Sequence, residues 1–129
     1  MPDVHNLDPS GSARGAGGND LDAFFALAGV WGLSTEQQIV LLGSPSRSTY
    51  FKWKKDGGSV SADTEERISH LMAIYKALQI LFPDPDRADA WLRRPSRVFE
   101  GRPALDVMLG GRLQDIIRVR EYIDAQRGG

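Results

Sequence analysis

The segment from Ser44 to Asp56, SPSRSTYFKWKKD, gathers the side chains of this chain best suited to binding a polyanion. Arg47, Lys52, Lys54 and Lys55 stand there against the single acid Asp56, in a chain whose formal net charge is -1. Arginine presents a planar fork of donors that matches a guanine edge, and lysine supplies point charges for phosphates. Ser46, Arg47, Ser48 and Thr49 cluster at the start of the segment, where short polar residues on the first turn of a helix reach base edges. Tyr50 and Trp53, three residues apart, are left to dock that helix on its scaffold. Gln37 and Gln38 open the preceding helical segment, placed to touch a phosphate. With so little global charge, DNA binding has to come from this local patch.

Catalytic chemistry is poorly provided for. The chain has no Cys, hence no thiolate nucleophile, no zinc thiolate site and no need of an oxidising compartment. Its two histidines, His5 and His70, lie far apart in sequence, whereas a metal centre needs clustered ligands and acid–base work a positioned pair. Asp63, Glu65 and Glu66 fall at a helix start, where the macrodipole accounts for them. Gly57 and Gly58 end a helix and do not form a phosphate cradle between a strand and a helix. The expectation is a binding protein with no cofactor and no metal.

The elements that position these residues follow from punctuation and periodicity. Residues 1–19, with Pro2, Pro9 and four glycines, bury little and are expected to form a flexible lead. Leu21, Phe24, Phe25, Ala28 and Trp31 mark a first helix from Asn19 or Asp20 to Gly32. Ser34 caps a second, with Gln37 as its capping-box partner, and Gly43 closes it. Ser44-Pro45 starts a third that runs to about Lys55. Two short helices joined by a tight turn, the second basic, have the layout of a helix-turn-helix over residues 20–60.

Ser61 or Asp63, the latter with Glu66, caps the longest helix. Ile68, Leu71, Met72, Tyr75, Leu78 and Phe82 form its stripe, and Pro83 and Pro85 stop it. Short helices follow at Asp86 to Arg93 and Ala104 to Leu109, and a last one carries Leu113, Ile116, Val119 and Ile123. No segment alternates as a strand does. The fold class expected is all-α, with about seven helices. No apolar run approaches a membrane span and the N-terminus lacks a signal pattern, which predicts a cytoplasmic protein.

The second half is organised around WLRRPSRVFEGRPALDVMLGG, Trp91 to Gly111. Trp91 is expected in the core, so that its truncation to alanine costs about 3–5 kcal/mol. Phe99 packs inward, and Gly101 turns the backbone before Pro103. Trp91, Pro95, Phe99, Gly101, Pro103, Leu105, Asp106, Leu109 and Gly110, in that order, resemble the toxin-binding domain of the Xre/MbcA/ParS-type antitoxins. The resemblance covers about residues 20 to 127, with a helix-turn-helix first and this module, over residues 61–129, last.

The resemblance implies an N-terminal Xre-like helix-turn-helix bundle followed by a C-terminal helical toxin-binding module. It implies an antitoxin of a type II pair. The cognate toxin would have a RES fold, consuming NAD or transferring ADP-ribose from it. The antitoxin would occlude the toxin's active site and repress the shared promoter by binding operator DNA, commonly as a homodimer or a hetero-oligomer with the toxin. A basic NAD pocket calls for acidic or hydrogen-bonding groups, for which Glu100, Asp106, Asp115, Glu121 and Asp124 are candidates. Arg112, Arg118 and Arg120 join them because arginine is enriched in interface hot spots. Asp106 has a second reading, as a cap of the short helix around Val107. Two other functions fit the same residues: a stand-alone helix-turn-helix regulator whose C-terminal half only dimerises, and a helical adaptor with no DNA role.

Overall fold

A computed structural model describes residues 16–128, so residues 1–15 of the lead expected over residues 1–19 lie outside it. Seven α-helices account for most of the described residues, with one two-stranded pairing. The chain divides into two compact units, and the division falls inside a helix, between Ser69 and His70.

The N-terminal unit holds α1 (Ala16–Trp31), α2 (Thr35–Leu41), α3 (Arg47–Asp56) and the first turns of α4 (Ala62–Leu81). α1 begins at Ala16, ahead of the start expected at Asn19 or Asp20. Its buried positions, Leu21, Phe24, Leu27, Ala28 and Trp31, recur at three and four residues as one helix face must. α2 starts with the full capping box. The Ser34 hydroxyl accepts from the Gln37 N–H (3.1 Å), and Gln37 Oε1 accepts from the Ser34 N–H (2.9 Å). The turn to α3 passes through Gly43 (φ 100°) and Ser44 (φ 61°). Ser44-Pro45 therefore does not start α3, contrary to expectation, and Ser44 does not cap it. Ser46 does, its hydroxyl accepting from the Thr49 N–H at 3.1 Å, because a cap needs the extended backbone that Ser46 has and Ser44 lacks.

α4 is capped by Ser61, whose hydroxyl accepts from the Thr64 N–H (3.1 Å). Asp63, the other candidate cap, lies inside the helix and accepts from Arg67 Nε at 2.8 Å.

The C-terminal unit runs from His70 through α5 (Pro85–Ala90), a single 3-10 turn (Trp91–Arg93), strand β1 (Pro95–Ser96), a second 3-10 turn (Arg97–Phe99), strand β2 (Arg102–Pro103), α6 (Ala104–Met108) and α7 (Leu113–Gly128). α5 is capped by Asp84, one residue before Pro85, and not begun at Asp86. β1 and β2 pair antiparallel, Pro95 opposite Pro103 and Ser96 opposite Arg102. Two-residue strands are too short to show alternation, which is why the sequence conceals them. The tip of this hairpin turns through Glu100 (φ 56°) and Gly101 (φ 84°), and the Gly101 N–H donates to the Ser96 carbonyl at 2.8 Å. Phe99 is fully buried beneath it.

Trp91 differs from expectation. It is only half-buried, its ring stacked on Tyr122 at 6.2 Å with 9° between planes. Both line a shallow apolar hollow of about 250 Å³ with Leu78, Leu81 and Phe82. None of the described helices is long and apolar enough to cross a membrane.

Candidate nucleic-acid and partner-binding surfaces

In the N-terminal unit the site is built on α3. Tyr50 anchors it: fully buried, it packs edge-on against Phe25 of α1 at 5.8 Å and donates its hydroxyl to Gln38 Oε1 at 2.6 Å. Gln38 in turn donates to the Leu33 carbonyl at 3.0 Å. Gln38, expected at a phosphate, is thus buried and ties α2 to α3. A buried amide needs partners for both of its ends, and here it has them. Gln37 is half-exposed, with its carbonyl oxygen given to the cap of α2.

Ser46 and Thr49 belong to the cap of α3, their hydroxyls 2.9 Å apart. Trp53 is half-buried on the docking side. Arg47, Ser48, Lys52, Lys54 and Lys55 are all exposed. At 100° per residue, Ser48, Lys52 and Lys55 fall on the side of α3 away from Tyr50, while Phe51 and, closer to Tyr50, Arg47 stand on its flank. Lys54 lies toward the flank, in a hollow of about 350 Å³ that also holds Asp22 and Asp56. Arg47 pairs with Glu36 of α2, and both side chains are largely in solvent. Its guanidinium also lies over the Phe51 ring, 5.4 Å from the centroid. The arrangement is a cationic, solvent-facing helix edge on a rigid base, suited to phosphates and base edges. Phe51 is absent from the set expected from the sequence. The signal that marks it is its i,i+4 spacing from Arg47 on a helix whose apolar side already has Tyr50 and Trp53.

In the C-terminal unit the eight candidate residues part into two groups. Asp115 is buried and works inside the fold. Its carboxylate accepts from the Arg112 N–H (3.2 Å), Arg112 Nε (3.2 Å) and Arg112 Nη2 (3.0 Å), closing the start of α7. Those hydrogen bonds, aided by the backbone N–H and the nearby charges of Arg112 and Arg102, hold the Asp115 carboxyl below the usual carboxylate range despite its burial. Gly110 sits against this carboxylate. A Cβ there would lie 2.5 Å from Asp115 Oδ2 and 3.2 Å from the Val107 carbonyl, so the site demands glycine by close approach.

Asp115→Asn is expected to cost the C-terminal unit about 1–3 kcal/mol at neutral pH. A carboxyl with a depressed folded pKa stabilises above its unfolded value of about 3.9 and loses that contribution as pH falls. Acid unfolding below about pH 4, followed by amide exchange in α6 and α7, should therefore be steeper in the wild type than in the variant. Parallel curves would mean that the ion pair contributes nothing to folding.

The remaining candidates are more open. Glu100 and Arg118 face each other at 3.7 Å, and Arg118 Nη2 also donates to the Val98 carbonyl at 3.4 Å while its guanidinium covers the Phe99 ring at 5.2 Å. Arg120 pairs with Asp124 (3.3 Å) and lies 2.9 Å from His70 Nδ1. Because arginine only donates, that contact requires the neutral His70 tautomer with its hydrogen on Nε2. Asp106 is exposed in the first turn of α6, and no side chain caps that helix, so the capping role considered for it is absent. Arg118 and Glu121 share the outward face of α7, opposite Ile116, Val119 and Ile123. The hairpin beside them is basic, with Arg93, Arg94, Arg97 and Arg102 against Glu100. Among the described residues no group of acids and histidines is arranged to hold a metal ion.

Two family profiles cover nearly all of the described chain. Residues 12–73 match the antitoxin Xre-like helix-turn-helix domain, and residues 77–129 match the antitoxin Xre/MbcA/ParS C-terminal toxin-binding domain. An uncharacterized protein of Sinorhizobium fredii, y4oB, is 61% identical over 110 residues, 85% of this chain and 85% of that protein.

Proposed function

Since the chain belongs to the Xre/MbcA/ParS antitoxin family, we propose that it is the cytoplasmic antitoxin of a type II pair whose toxin has a RES fold and consumes NAD or transfers ADP-ribose from it. The C-terminal unit closes the toxin's active site, and the N-terminal unit, as a dimer, represses the shared promoter. What carries this reading is the order of parts on one chain: a helix-turn-helix domain followed directly by a toxin-binding domain. The exposed cations of α3 support the DNA role. The open, mixed-charge surface of Glu100, Asp106, Arg118 and Glu121 supports the docking role. Arg112 and Asp115 enter it as the pair that sets the start of α7, and Arg120 and Asp124 as its flank.

Co-expression with a RES-type toxin encoded beside it is the direct test. The chain should restore growth. Arg118→Glu reverses a charge on the outward face of α7 and is expected to weaken toxin binding by about 10²-fold, or about 2.7 kcal/mol. Arg47→Ala should leave neutralisation intact. If cells die with the antitoxin present and soluble, the inhibitor role is wrong. A chain that binds DNA but not the toxin would be a stand-alone regulator.

A further inference from the structure

α3 exposes an aromatic side chain that its packing does not require. Phe51 is 45% exposed, although Tyr50 beside it is fully buried and supplies the docking contact. The ring is held in place all the same. It meets Tyr50 at 4.9 Å and 78°, and the Arg47 guanidinium lies over it at 5.4 Å. Tyr50 is itself fixed by its hydrogen bond to Gln38. A rigid apolar surface and a donor fork therefore stand side by side on the outward edge of α3, one helical turn apart.

In the major groove the base edges offer one kind of apolar group, the 5-methyl of a pyrimidine, carried by thymine and by 5-methylcytosine. Guanine offers O6 and N7 to an arginine fork. We propose that Arg47 and Phe51 act as one reading unit, Arg47 on a guanine and Phe51 on the methyl group of a 5-methylpyrimidine at the adjacent base step. This rests on the DNA-binding role proposed above and names what that role recognises. Phe51 is a specificity-determining residue in it, and Lys52 and Lys55 supply sequence-independent phosphate contacts.

The test uses the full chain and a randomised duplex pool. In the duplexes it selects, each thymine is replaced singly by deoxyuracil, which removes only the methyl group. One replacement beside a guanine should weaken wild-type binding about fourfold, the effect of burying one methyl. Phe51→Ala should bind the dT and dU duplexes alike. At the same step, methylated and unmethylated cytosine tell the two methyl sources apart: a gain on methylation assigns 5-methylcytosine as well, and its absence restricts the unit to thymine. The proposal falls if the chain selects duplexes yet tolerates every dU replacement, or if Phe51→Ala keeps the dT preference. Should Phe51→Ala fail to fold, the wild-type dU series decides alone. If no duplex is selected at all, the DNA-binding role itself fails, a result separate from loss of methyl discrimination.

Discussion

Phe99→Ala is expected to destabilise the C-terminal unit by about 3–5 kcal/mol, the range for removing a fully buried aromatic. The ring has no exposure, packs edge-on against Tyr122 at 5.7 Å and carries the Arg118 guanidinium on its face. It also pins the hairpin that holds Glu100. Few of the surrounding groups can collapse into the space, since β1 and β2 are fixed to each other by pairing. Trp91→Ala is the control. Its half-exposed ring stacks on the same Tyr122, so it should lose distinctly less. Thermal or denaturant melts of both variants, with amide exchange to localise the change, decide the matter. Equal losses would place Trp91 in the core and contradict the structure.

The second large effect concerns α3. Replacing Arg47, Lys52 and Lys55 together by alanine removes three solvent-facing cations. If Lys52 and Lys55 each neutralise one phosphate, the slope of log affinity against log salt should shrink by about 1.8, on the order of 10²-fold in affinity near 0.1 M salt, and loss of the Arg47 base-edge contact should cost about 1–3 kcal/mol more without changing the slope. Folding should be untouched, because these side chains are exposed and surface ion pairs contribute at most about 1 kcal/mol. Titrations of the selected duplex at several salt concentrations measure both quantities. An unchanged slope would remove α3 from the interface.

Much of this architecture can be read from local punctuation. The capping box of Ser34 and Gln37 and the stop at Pro83 and Pro85 involve residues a few positions apart, so the one-dimensional pattern contains the physics. What stays hidden depends on distant partners. Gln38 looks like a surface amide until Tyr50, twelve residues on, takes its oxygen. Asp115 looks like one more helix charge until the chain folds Gly110 and Arg112 against it. Trp91 sits in a stretch whose composition suggests a core, but periodicity cannot show that its ring stays half-buried, stacked on Tyr122 at the edge of an apolar hollow. At the N-terminal site the cations were legible because charge density is additive along the sequence. Phe51 was not, since a phenylalanine between the aromatic residues Tyr50 and Trp53 reads as core until burial is known.

The pairing of Arg47 with Glu36 has a consequence for how such a protein finds its target. In the unbound state the guanidinium is already engaged, by a contact worth at most about 1 kcal/mol. A lone phosphate offers little more than the carboxylate it would displace, whereas a guanine edge offers about 1–3 kcal/mol. On non-specific sequence, under the DNA role proposed above, the guanidinium would keep its carboxylate partner. If α3 reads DNA as proposed, the cost of leaving Glu36 is met in full only by a guanine edge, so the pairing favours discrimination over general affinity.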